Sequence, residues 1–444
     1  MIHSYPEQLV SVLVEHWDAT SSSSHYWGDV HDLPIDPLPD LVTLEELIST
    51  CYQASLLKDE GRQVRFRLIL SNPNRFIPSE GPPLGLHRVQ FTKPRPFNQH
   101  ELRRLSPAVD FYRTLIGVGD TGQGHLQIWG LLNSGPRWIQ TIQGGRLRPQ
   151  LLPETLIIRV TGPGRVSVCK GLVTIATLTG GKVVRQSMDV LDSNWLPRSF
   201  SGTRAEWTSL YNSQREQMQR PWAILDYSFV KLMAQQVIRR VISIMRNMNH
   251  GGTLILIPSE LTSDFDSENR YIAIKYRFTE EEPRRRLRTL ILGLMYALAE
   301  EYGKKGGAGK TVGWNEYSAS KDETVLRLDE GMFEMAQLIA HLSAADGAVV
   351  MNKRFEVLGF GAEILGKLDE VKTVARALDA EGDHTEREST DGVGTRHRSA
   401  YRLCNELHEA IVIVVSQDGT VRFIQWKDGI VTYWDQVATS VLDL

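Results

Sequence analysis

The spacing of apolar residues is helical at the start of the chain and then changes to that of strands. Apolar residues three and four apart predict a helix over 6–17 and a second one from Thr43, which forms a capping-box pattern with Glu46. From Val64 to Leu70 apolar and polar residues alternate, which is typical of a half-buried strand. Short β-prone runs separated by glycine-rich turn signals follow between about residues 84 and 184. This part of the chain is therefore predicted to be a β-rich α+β domain.

The pattern becomes helical again after Pro197 and then alternates between helices and strands. A helix over 227–248 ends at an Asn-His-Gly-Gly sequence, and the apolar run 253–257 predicts a strand buried on both faces. Further strands are expected at 271–278, 348–351, 356–359, 411–415 and 421–426, and helices at 279–302, 331–342 and 399–407. We predict an α/β fold here, a mixed sheet with flanking helices, and two domains spanning 1–215 and 216–444.

Composition narrows the class of protein without naming a function. The 444 residues are 41% hydrophobic, and 50 Lys and Arg against 53 Asp and Glu give a formal net charge of −3, which disfavours a basic coat for nucleic acid. The sequence starts without a secretory signal, and its longest strongly apolar helical run, 290–299, is half of the roughly 20 residues that a membrane span needs. Three widely spaced cysteines argue against a disulfide framework. A soluble, cytoplasmic protein is expected.

Several motif matches do not have the structural context that their chemistry needs. The glycines of 117–122 match GxGxxG, but a strand follows them where a dinucleotide site needs a helix, so a hairpin is favoured. The GKT at 309–311 lacks the first glycine of a P-loop, and the SxxK at 318–321 lacks its partner motifs. The arginines of 284–288 follow Glu280–Glu282 and predict a charge-paired helix face.

Two segments of the second half carry residues suited to phosphate chemistry. Asp346 and Gly347 open a strand, which places a carboxylate beside a residue that lets a ligand approach the backbone. The segment GTRHR at 394–398 puts two guanidinium groups around an imidazole, just before a helix expected to start after Arg398. Arginine forks bind phosphate oxygens, and Asp and His bind divalent metals. The alternative is that Asp346 is a turn residue and the basic cluster a surface patch.

Together the segments ADGAVV at 345–350 and GTRHRSA at 394–400 resemble the signatures of diadenylate cyclase (DAC) domains, the DisA_N family. The helix and strand around GGTLILI at 251–257 and the VVSQ at 414–417 agree with that family, so the resemblance spans roughly Pro221 to Trp434. It implies condensation of two ATP molecules into cyclic di-AMP with release of two pyrophosphates. It also implies a homodimer or higher oligomer in which two cyclase domains face each other.

The resemblance assigns roles to individual residues. Asp346 would activate the attacking hydroxyl and hold Mg²⁺ or Mn²⁺, with His397 as a further metal ligand, and Arg396 and Arg398 would grip phosphates. The nucleotide would also be contacted by Gly347, Ala348, Gly394, Thr395 and Ser416.

The chain also departs from familiar members of the family. Position 417 is Gln, where some cyclases have a metal-binding glutamate, and the polar insertion Glu381–Asp391 is interpreted either as a lid or as a disordered loop. Neither the DNA-binding module of full DisA proteins nor membrane helices are evident, so DNA and membrane are not expected as partners.

The first half resembles, less specifically, the DACNV-type sensor regions that precede some cyclase domains. The resemblance rests on PRPF at 94–97, LSPA at 105–108 and IWGL at 128–131. It implies a small-molecule or protein signal that regulates the cyclase. Trp129 and Trp138 are candidates for a ligand pocket or for the core, and the core is the commoner place for aromatic residues in β-domains.

Three functional hypotheses follow from the sequence. The leading one is a soluble, sensor-regulated diadenylate cyclase. The main alternative is a catalytically silent receptor for a nucleotide or cyclic dinucleotide, and an interaction scaffold has the least support. The sensor's ligand, the sign of regulation, the resting oligomer and the strictness of ATP over GTP selection are left open.

Overall fold

The computed structural model describes residues 5–18, 36–82, 85–120, 125–134, 152–171, 173–184, 189–218, 221–248, 250–265, 269–307, 309–417, 419–435 and 437. Within them the helices are α1 Pro6–His16, α2 Leu41–Ser55, α3 Gln99–Leu105, α4 Trp195–Arg198, α5 Ser201–Gln217, α6 Tyr227–Asn247, α7 Thr262–Phe265, α8 Glu281–Gly306, α9 Trp314–Ala319, α10 Glu323–Leu342 and α11 Thr395–Glu406. Short 3₁₀ turns lie at Pro73–Arg75, Ser106–Ala108, Val190–Asp192 and Ser259–Leu261.

The strands fall into two large sheets and two small pairs. Those of the first half are β1 Lys58–Asp59, β2 Arg62–Gln63, β3 Phe66–Leu70, β4 His87–Pro96, β5 Thr114–Asp120, β6 Leu126–Asn133, β7 Leu156–Gly162, β8 Arg165–Lys170, β9 Val173–Thr179 and β10 Lys182–Val184. Those of the second half are β11 Ile224–Leu225, β12 Gly252–Ile257, β13 Ile272–Arg277, β14 Thr311–Val312, β15 Ala348–Asn352, β16 Val357–Ile364, β17 Thr373–Ala377, β18 Thr385–Ser389, β19 Ile411–Val415, β20 Val421–Lys427 and β21 Ile430–Trp434.

The chain divides into two compact units between residues 187 and 188. The sequence-based boundary near residue 215 lies farther along, after α5. In the structure α5 belongs to the second unit, where the ring of Trp207 lies 5.8 Å from that of Phe355. Helix α5 belongs to the second unit because its aromatic residues are buried in that unit's core, although the rest of the helix is mostly polar.

The first unit is built on an eight-stranded sheet in the order β10-β9-β8-β7-β3-β5-β6-β4. All its neighbouring strands are antiparallel except β3 and β5. Helices α1 and α2 cover one face, where Leu9, Leu47 and Leu68 share a core. Helix α2 begins after Asp40, whose carboxylate accepts from the Thr43 backbone N–H at 3.0 Å, so the expected cap at Thr43 is wrong by three residues. The predicted β-rich α+β fold is confirmed.

The second unit is built on a nine-stranded mixed sheet in the order β13-β16-β15-β12-β19-β20-β21-β17-β18. Apolar side chains of the central strands alternate between two cores, as Leu254 and Leu256 face one and Ile255 and Ile257 the other. Helices α6, α8 and α10 cover the first face, and α11 covers the second. The continuous apolar run of β12 is therefore buried on both sides, as predicted, and the α/β fold class with flanking helices is confirmed.

No helix in the described part of the chain has both the length and the apolar character that a membrane span requires. The cysteines Cys51, Cys169 and Cys404 are free thiols, and all three are buried.

Candidate functional site

The two motifs singled out in the sequence meet where three neighbouring central strands of the nine-stranded sheet start or end. Strands β12 and β15 run parallel, with Leu254 paired to Val349, so the same register places Asp346 level with Gly251. On the other side of β12, Gly252 is paired with Val415 at the end of β19. This edge, formed by the start of β12, the start of β15 and the end of β19, is called the motif edge below.

Asp346 lies exposed at the motif edge, two residues before the start of β15. The next residue, Gly347, has a φ of +111°, and a Cβ placed on it would lie 2.6 Å from the backbone carbon of Gly361 and 2.8 Å from the nitrogen of Ala362. Glycine is therefore required here for two reasons, the left-handed backbone and the close approach of β16. Ala348 is 4% exposed and packs into the core under α11, so only its backbone is left to face a ligand.

The basic motif forms the first turn of α11. The helix begins at Thr395 with Gly394 as N-cap, so the expectation that it starts after Arg398 is wrong by four residues. Gly394 has no side chain to cap the first N–H groups, while its carbonyl accepts from the N–H groups of His397 and Arg398 at 3.1 and 3.2 Å. Free N–H groups and the positive end of the helix dipole favour an anion at this position. The opposite face of the helix is anchored on the sheet by the buried residues Ala400, Tyr401, Leu403 and Cys404.

The Arg396 side chain reaches back to the motif edge. A Cβ placed on Gly251 would lie 2.9 Å from Arg396 Nη1, 3.0 Å from the Val415 carbonyl oxygen and 3.2 Å from the Gln417 backbone nitrogen. The guanidinium group therefore lies over Gly251, one strand away from the position of Asp346. Gly251 was interpreted from sequence only as a helix stop, but its φ of +68° and missing side chain make room for this arginine.

The other predicted site residues lie around the motif edge. Thr395 and Arg398 are exposed in the first turn of α11, and His397 is half-buried. Ser416 is half-buried in the turn after β19, where its backbone N–H and its hydroxyl donate to the Thr420 carbonyl at 2.9 and 3.0 Å. The structure thus gathers all the predicted residues at one end of the sheet, although Ala348 turns its side chain inward.

A metal at this site would have few protein ligands. Within the described residues no group of three or more His, Cys, Asp and Glu side chains is arranged to hold a metal ion. Gln417, which follows the end of β19, is exposed and adds no carboxylate. The donor set fits an ion such as Mg²⁺, which keeps waters and binds through one or two carboxylates together with substrate phosphates.

Two of the dismissed motifs have the structures expected of them. Strands β5 and β6 pair antiparallel, so the glycines of 117–122 enter a hairpin whose turn, 121–124, lies outside the described residues. Arg285 and Arg286 pair with Glu281 and Glu282 at 2.8 and 3.1 Å, one helical turn apart. Both functional alternatives, a dinucleotide site and a phosphate-binding arginine run, therefore lose their support.

The tryptophan of β6 belongs to the core of the first unit. Trp129 is 4% exposed, and its Nε1–H donates to the Ser71 carbonyl at 2.9 Å. This agrees with the expectation that aromatic residues of β-domains are usually core. Trp138, the other candidate for a ligand pocket, lies outside the described residues.

The polar insertion Glu381–Asp391 is ordered where it was expected to be either a lid or a disordered loop. Residues Thr385–Ser389 form β18, which pairs antiparallel with β17 at the end of the sheet. The Glu381 carboxylate accepts from the Asn194 backbone and side chain at 2.7 and 2.9 Å. The interpretation as a disordered loop is therefore wrong. All five residues of this edge strand are polar, so the sequence gives no apolar pattern that would predict it.

Replacing Gly347 by alanine tests the close packing behind Asp346. We expect Gly347→Ala to lower the free energy of unfolding by about 2–5 kcal/mol, because it adds left-handed strain to a backbone clash. Gly392→Ala is the matched control, since Gly392 also has a positive φ (+77°) but no atom within 4 Å of its Cβ position. Urea unfolding of both variants measures the difference. Equal losses in the two would mean that β16 yields and that Gly347 is not needed for packing.

Comparison with known families identifies two regions of the chain. Residues 334–428 match the family model described as DisA bacterial checkpoint controller nucleotide-binding. Residues 33–133 match the model described as probable sensor domain DACNV. No curated protein gives a significant match. The first region contains every predicted site residue, and the match to the second confirms the resemblance of the amino-terminal half to a sensor region.

Proposed function

Because the chain carries a DAC nucleotide-binding domain preceded by a DACNV sensor domain, we propose that it is a diadenylate cyclase. It would condense two ATP molecules into cyclic di-AMP and release two pyrophosphates. The observation that carries this proposal is the motif edge, where the exposed Asp346, the Arg396 side chain and a helix N-terminus without a side-chain cap lie together. That set of groups suits the phosphates of one nucleoside triphosphate.

In the proposed reaction, the 3′-oxygen of one ATP attacks the α-phosphorus of the other. The new O–P bond forms as the bond from the α-phosphorus to the bridging oxygen breaks, pyrophosphate leaves, and the hydroxyl proton is lost. A second, equivalent step closes the ring. Asp346 is assigned to orient that hydroxyl and to receive its proton, since a positioned carboxylate is the basic group at this edge.

The phosphates are assigned to the first turn of α11. Arg396 and Arg398 supply planar forks that match phosphate oxygens, and the N–H groups after Gly394 add donors without charge. Thr395 and Ser416 supply hydroxyls to phosphate or ribose, and the small residues Gly347 and Ala348 let the nucleotide approach the backbone of β15. The backbone N–H groups are held in place by the helix before the reaction, so their stabilisation of developing charge costs little reorganisation.

A divalent ion, Mg²⁺ or Mn²⁺, is proposed to arrive with ATP. Asp346, with His397 beside the phosphates, would supply its protein ligands, and the ion would neutralise charge on the phosphoryl oxygens.

The reaction needs two copies of the domain. One motif edge offers one set of phosphate-binding groups, and its catalytic residues are exposed on the surface of the unit. We therefore propose a homodimer or higher oligomer in which two motif edges face each other and each presents one ATP. Such positioning is the main source of rate enhancement when two bound substrates react with each other.

The sensor domain is proposed to regulate this pairing in response to a small-molecule or protein signal. The cytoplasm, which supplies ATP, is the proposed location, and the three free, buried cysteines suit its reducing conditions.

The second candidate function is a receptor that binds a nucleotide or cyclic dinucleotide without turnover. It is favoured because the site has few acidic groups. Position 417 is a glutamine, and the described residues contain no group of three or more side chains that could hold a metal ion.

Incubation with ATP separates the two candidates. The purified full chain is mixed with ATP and Mg²⁺ or Mn²⁺, the products are resolved by chromatography, and nucleotide binding is measured in parallel by calorimetry. We expect cyclic di-AMP and pyrophosphate in a ratio of one to two. Recovery of ATP alone, under conditions where binding is measured, would reject the cyclase in favour of the receptor. A mixed ATP and GTP reaction shows whether the base is selected.

A further inference from the structure

The chain enters the second unit through a segment that hydrogen bonds fix to the core of that unit. This segment, residues 189–200, follows the first unit in the chain and is called the connector below. The Asp189 carboxylate accepts from Arg239 Nη2 of α6 at 2.7 Å. The Leu191 carbonyl accepts from the Gln235 side chain of the same helix. Because α6 is largely buried, these bonds hold the start of the connector in place.

The connector also contacts the polar insertion between β17 and β18. The Glu381 carboxylate accepts from the backbone and side chain of Asn194 at 2.7 and 2.9 Å. The Trp195 Nε1–H donates to the Ala380 carbonyl at 2.9 Å. The Trp195 ring also stacks on that of Trp434 in β21, with the ring centroids 4.4 Å apart. These five residues are called the connector junction below.

The turn of the β17-β18 hairpin has a fixed shape that brings it against Trp434. The Asp379 carboxylate accepts from the backbone N–H groups of Gly382 and His384 at 2.6 and 2.8 Å. Gly382 has a φ of +71°, and a Cβ placed on it would lie 2.7 Å from Cζ2 of the Trp434 ring. Glycine therefore allows the turn to adopt a left-handed backbone and to lie directly on this tryptophan.

The chain itself links the connector junction to the first turn of α11. Strand β18 follows the hairpin turn, and Thr390 comes directly after the strand. The backbone N–H of Thr390 donates to the Lys372 carbonyl at 3.1 Å, and its hydroxyl donates to the Val371 carbonyl at 2.7 Å. Four residues later Gly394 is the N-cap of α11. A short, anchored segment thus joins the hairpin to the predicted phosphate-binding turn.

A second link between the hairpin and α11 is made by side-chain packing. The Glu388 carboxylate of β18 accepts from the Tyr433 hydroxyl of β21. The Tyr433 ring lies 6.1 Å from that of Tyr401 in α11. Tyr433 and Trp434 are neighbours in β21 and belong to the cores on opposite faces of the sheet. Strand β21 therefore contacts the connector on one face and α11 on the other.

We propose that the connector junction couples the connector to the first turn of α11, so that a signal reaching the connector from the sensor side changes how firmly that turn is held. The inference rests on the nucleotide site proposed at the motif edge and gives its regulation a physical route. It also assigns a role to the insertion Glu381–Asp391, which the proposed reaction does not use. Coupling of this kind is reciprocal, so a nucleotide bound at α11 must also stabilise the connector.

Hydrogen exchange of the full chain without nucleotide is the first test, with peptides read by mass spectrometry. Glu381→Ala removes the acceptor of both Asn194 hydrogen bonds. We expect amide exchange to become about tenfold faster at residues 190–196 and also at residues 390–401, as for loss of hydrogen bonds to a charged group. Acceleration at the second segment is what coupling predicts and a purely local contact does not.

Glu386→Ala is the matched control, because it removes the same charge from the same hairpin. Glu386 is an exposed residue of β18, and its described ion pair is with Arg376 of β17 at 3.8 Å. We expect unchanged exchange in both segments. Asn194→Ala removes only one of the two hydrogen bonds to Glu381, so its acceleration is expected to be smaller in the same segments.

Addition of ATP with Mg²⁺ tests the reciprocal effect. In the unchanged chain we expect slower exchange at residues 390–401, where the phosphates are proposed to bind, and at residues 190–196 through the connector junction. In Glu381→Ala we expect the first effect to remain and the second to be lost. Absence of protection at residues 390–401 would count against the proposed nucleotide site, and the comparison without nucleotide would still decide on the coupling.

Three results would overturn the proposal. The first is that Glu381→Ala leaves exchange at residues 390–401 unchanged in the absence of nucleotide. The second is that Glu386→Ala accelerates both segments as much as Glu381→Ala does. The third is that ATP protects residues 390–401 of the unchanged chain and leaves exchange at residues 190–196 as it was.

Discussion

Asp346→Asn is expected to reduce cyclic di-AMP formation by at least about a thousandfold while leaving ATP binding within a few-fold of its original value, since general-base contributions are of this order. The substitution keeps the shape of the side chain and removes its capacity to receive a proton. Because Asp346 is exposed and lies before β15, the change places no new strain on the core. The product is quantified by chromatography under single-turnover conditions, with ATP affinity measured separately.

Asp428→Asn provides the matched control. Asp428 is an exposed aspartate of the same domain in the turn between β20 and β21, at the far end of β20 from the motif edge. Its φ of +50° is one that asparagine also tolerates. We expect no change in turnover there. Normal turnover by Asp346→Asn would remove Asp346 from the catalytic set, and a large loss of ATP affinity would assign it to binding instead of proton transfer.

The sheet of the second unit was predictable because its strands carry strong local signals. β12 and β19 are uninterrupted apolar runs, and both faces of each are covered by helices. No local pattern in the sequence predicts which strands lie beside β12 and β19 in the sheet. Asp346 and Arg396 are fifty residues apart in the chain. The strand order β15-β12-β19 places Asp346 level with Gly251, and the Arg396 side chain reaches Gly251 from helix α11. In the sequence, only the resemblance to the DAC family links the two motifs.

In the second unit, two helices start earlier than the sequence pattern predicts, each for a physical reason. Helix α11 has no apolar residue before Ala400, so the helical spacing of apolar residues does not reveal its first turn. Helix α10 begins at Glu323, capped by Asp322, although a start near Gly331 was expected. Gly331 lies in the middle of that helix, where a Cβ would lie 3.0 Å from Leu290 of α8. Its lack of a side chain serves helix packing and does not end the helix.

The balanced charge of the chain is compatible with binding a polyanion because the positive charge is local. The net charge of −3 is an average over 444 residues, whereas electrostatic attraction between exposed charges decays within about 10 Å at ordinary ionic strength. Arg396 and Arg398 at the first turn of α11 therefore set the potential that a phosphate meets.

Arg396→Ala is expected to abolish measurable product and to weaken ATP binding by about tenfold to a hundredfold, the range for removal of a charged hydrogen-bond donor. The reason is its position over Gly251, where its Nη1 atom lies within 3 Å of the point that a Cβ would occupy. Arg396→Lys distinguishes charge from geometry. Lysine keeps the charge but lacks the planar fork, so we expect binding to recover more than turnover does.

Arg402→Ala removes a positive charge farther along the same helix and serves as the control, with ATP affinity and turnover expected to stay within a few-fold of their original values. Circular dichroism and urea unfolding establish that all three variants keep the fold. If Arg396→Ala and Arg402→Ala lost the same affinity, the arginines would act only through the general field of α11. A loss confined to position 396 would instead tie phosphate binding to the motif edge, where the backbone of Gly251 leaves room for that one side chain.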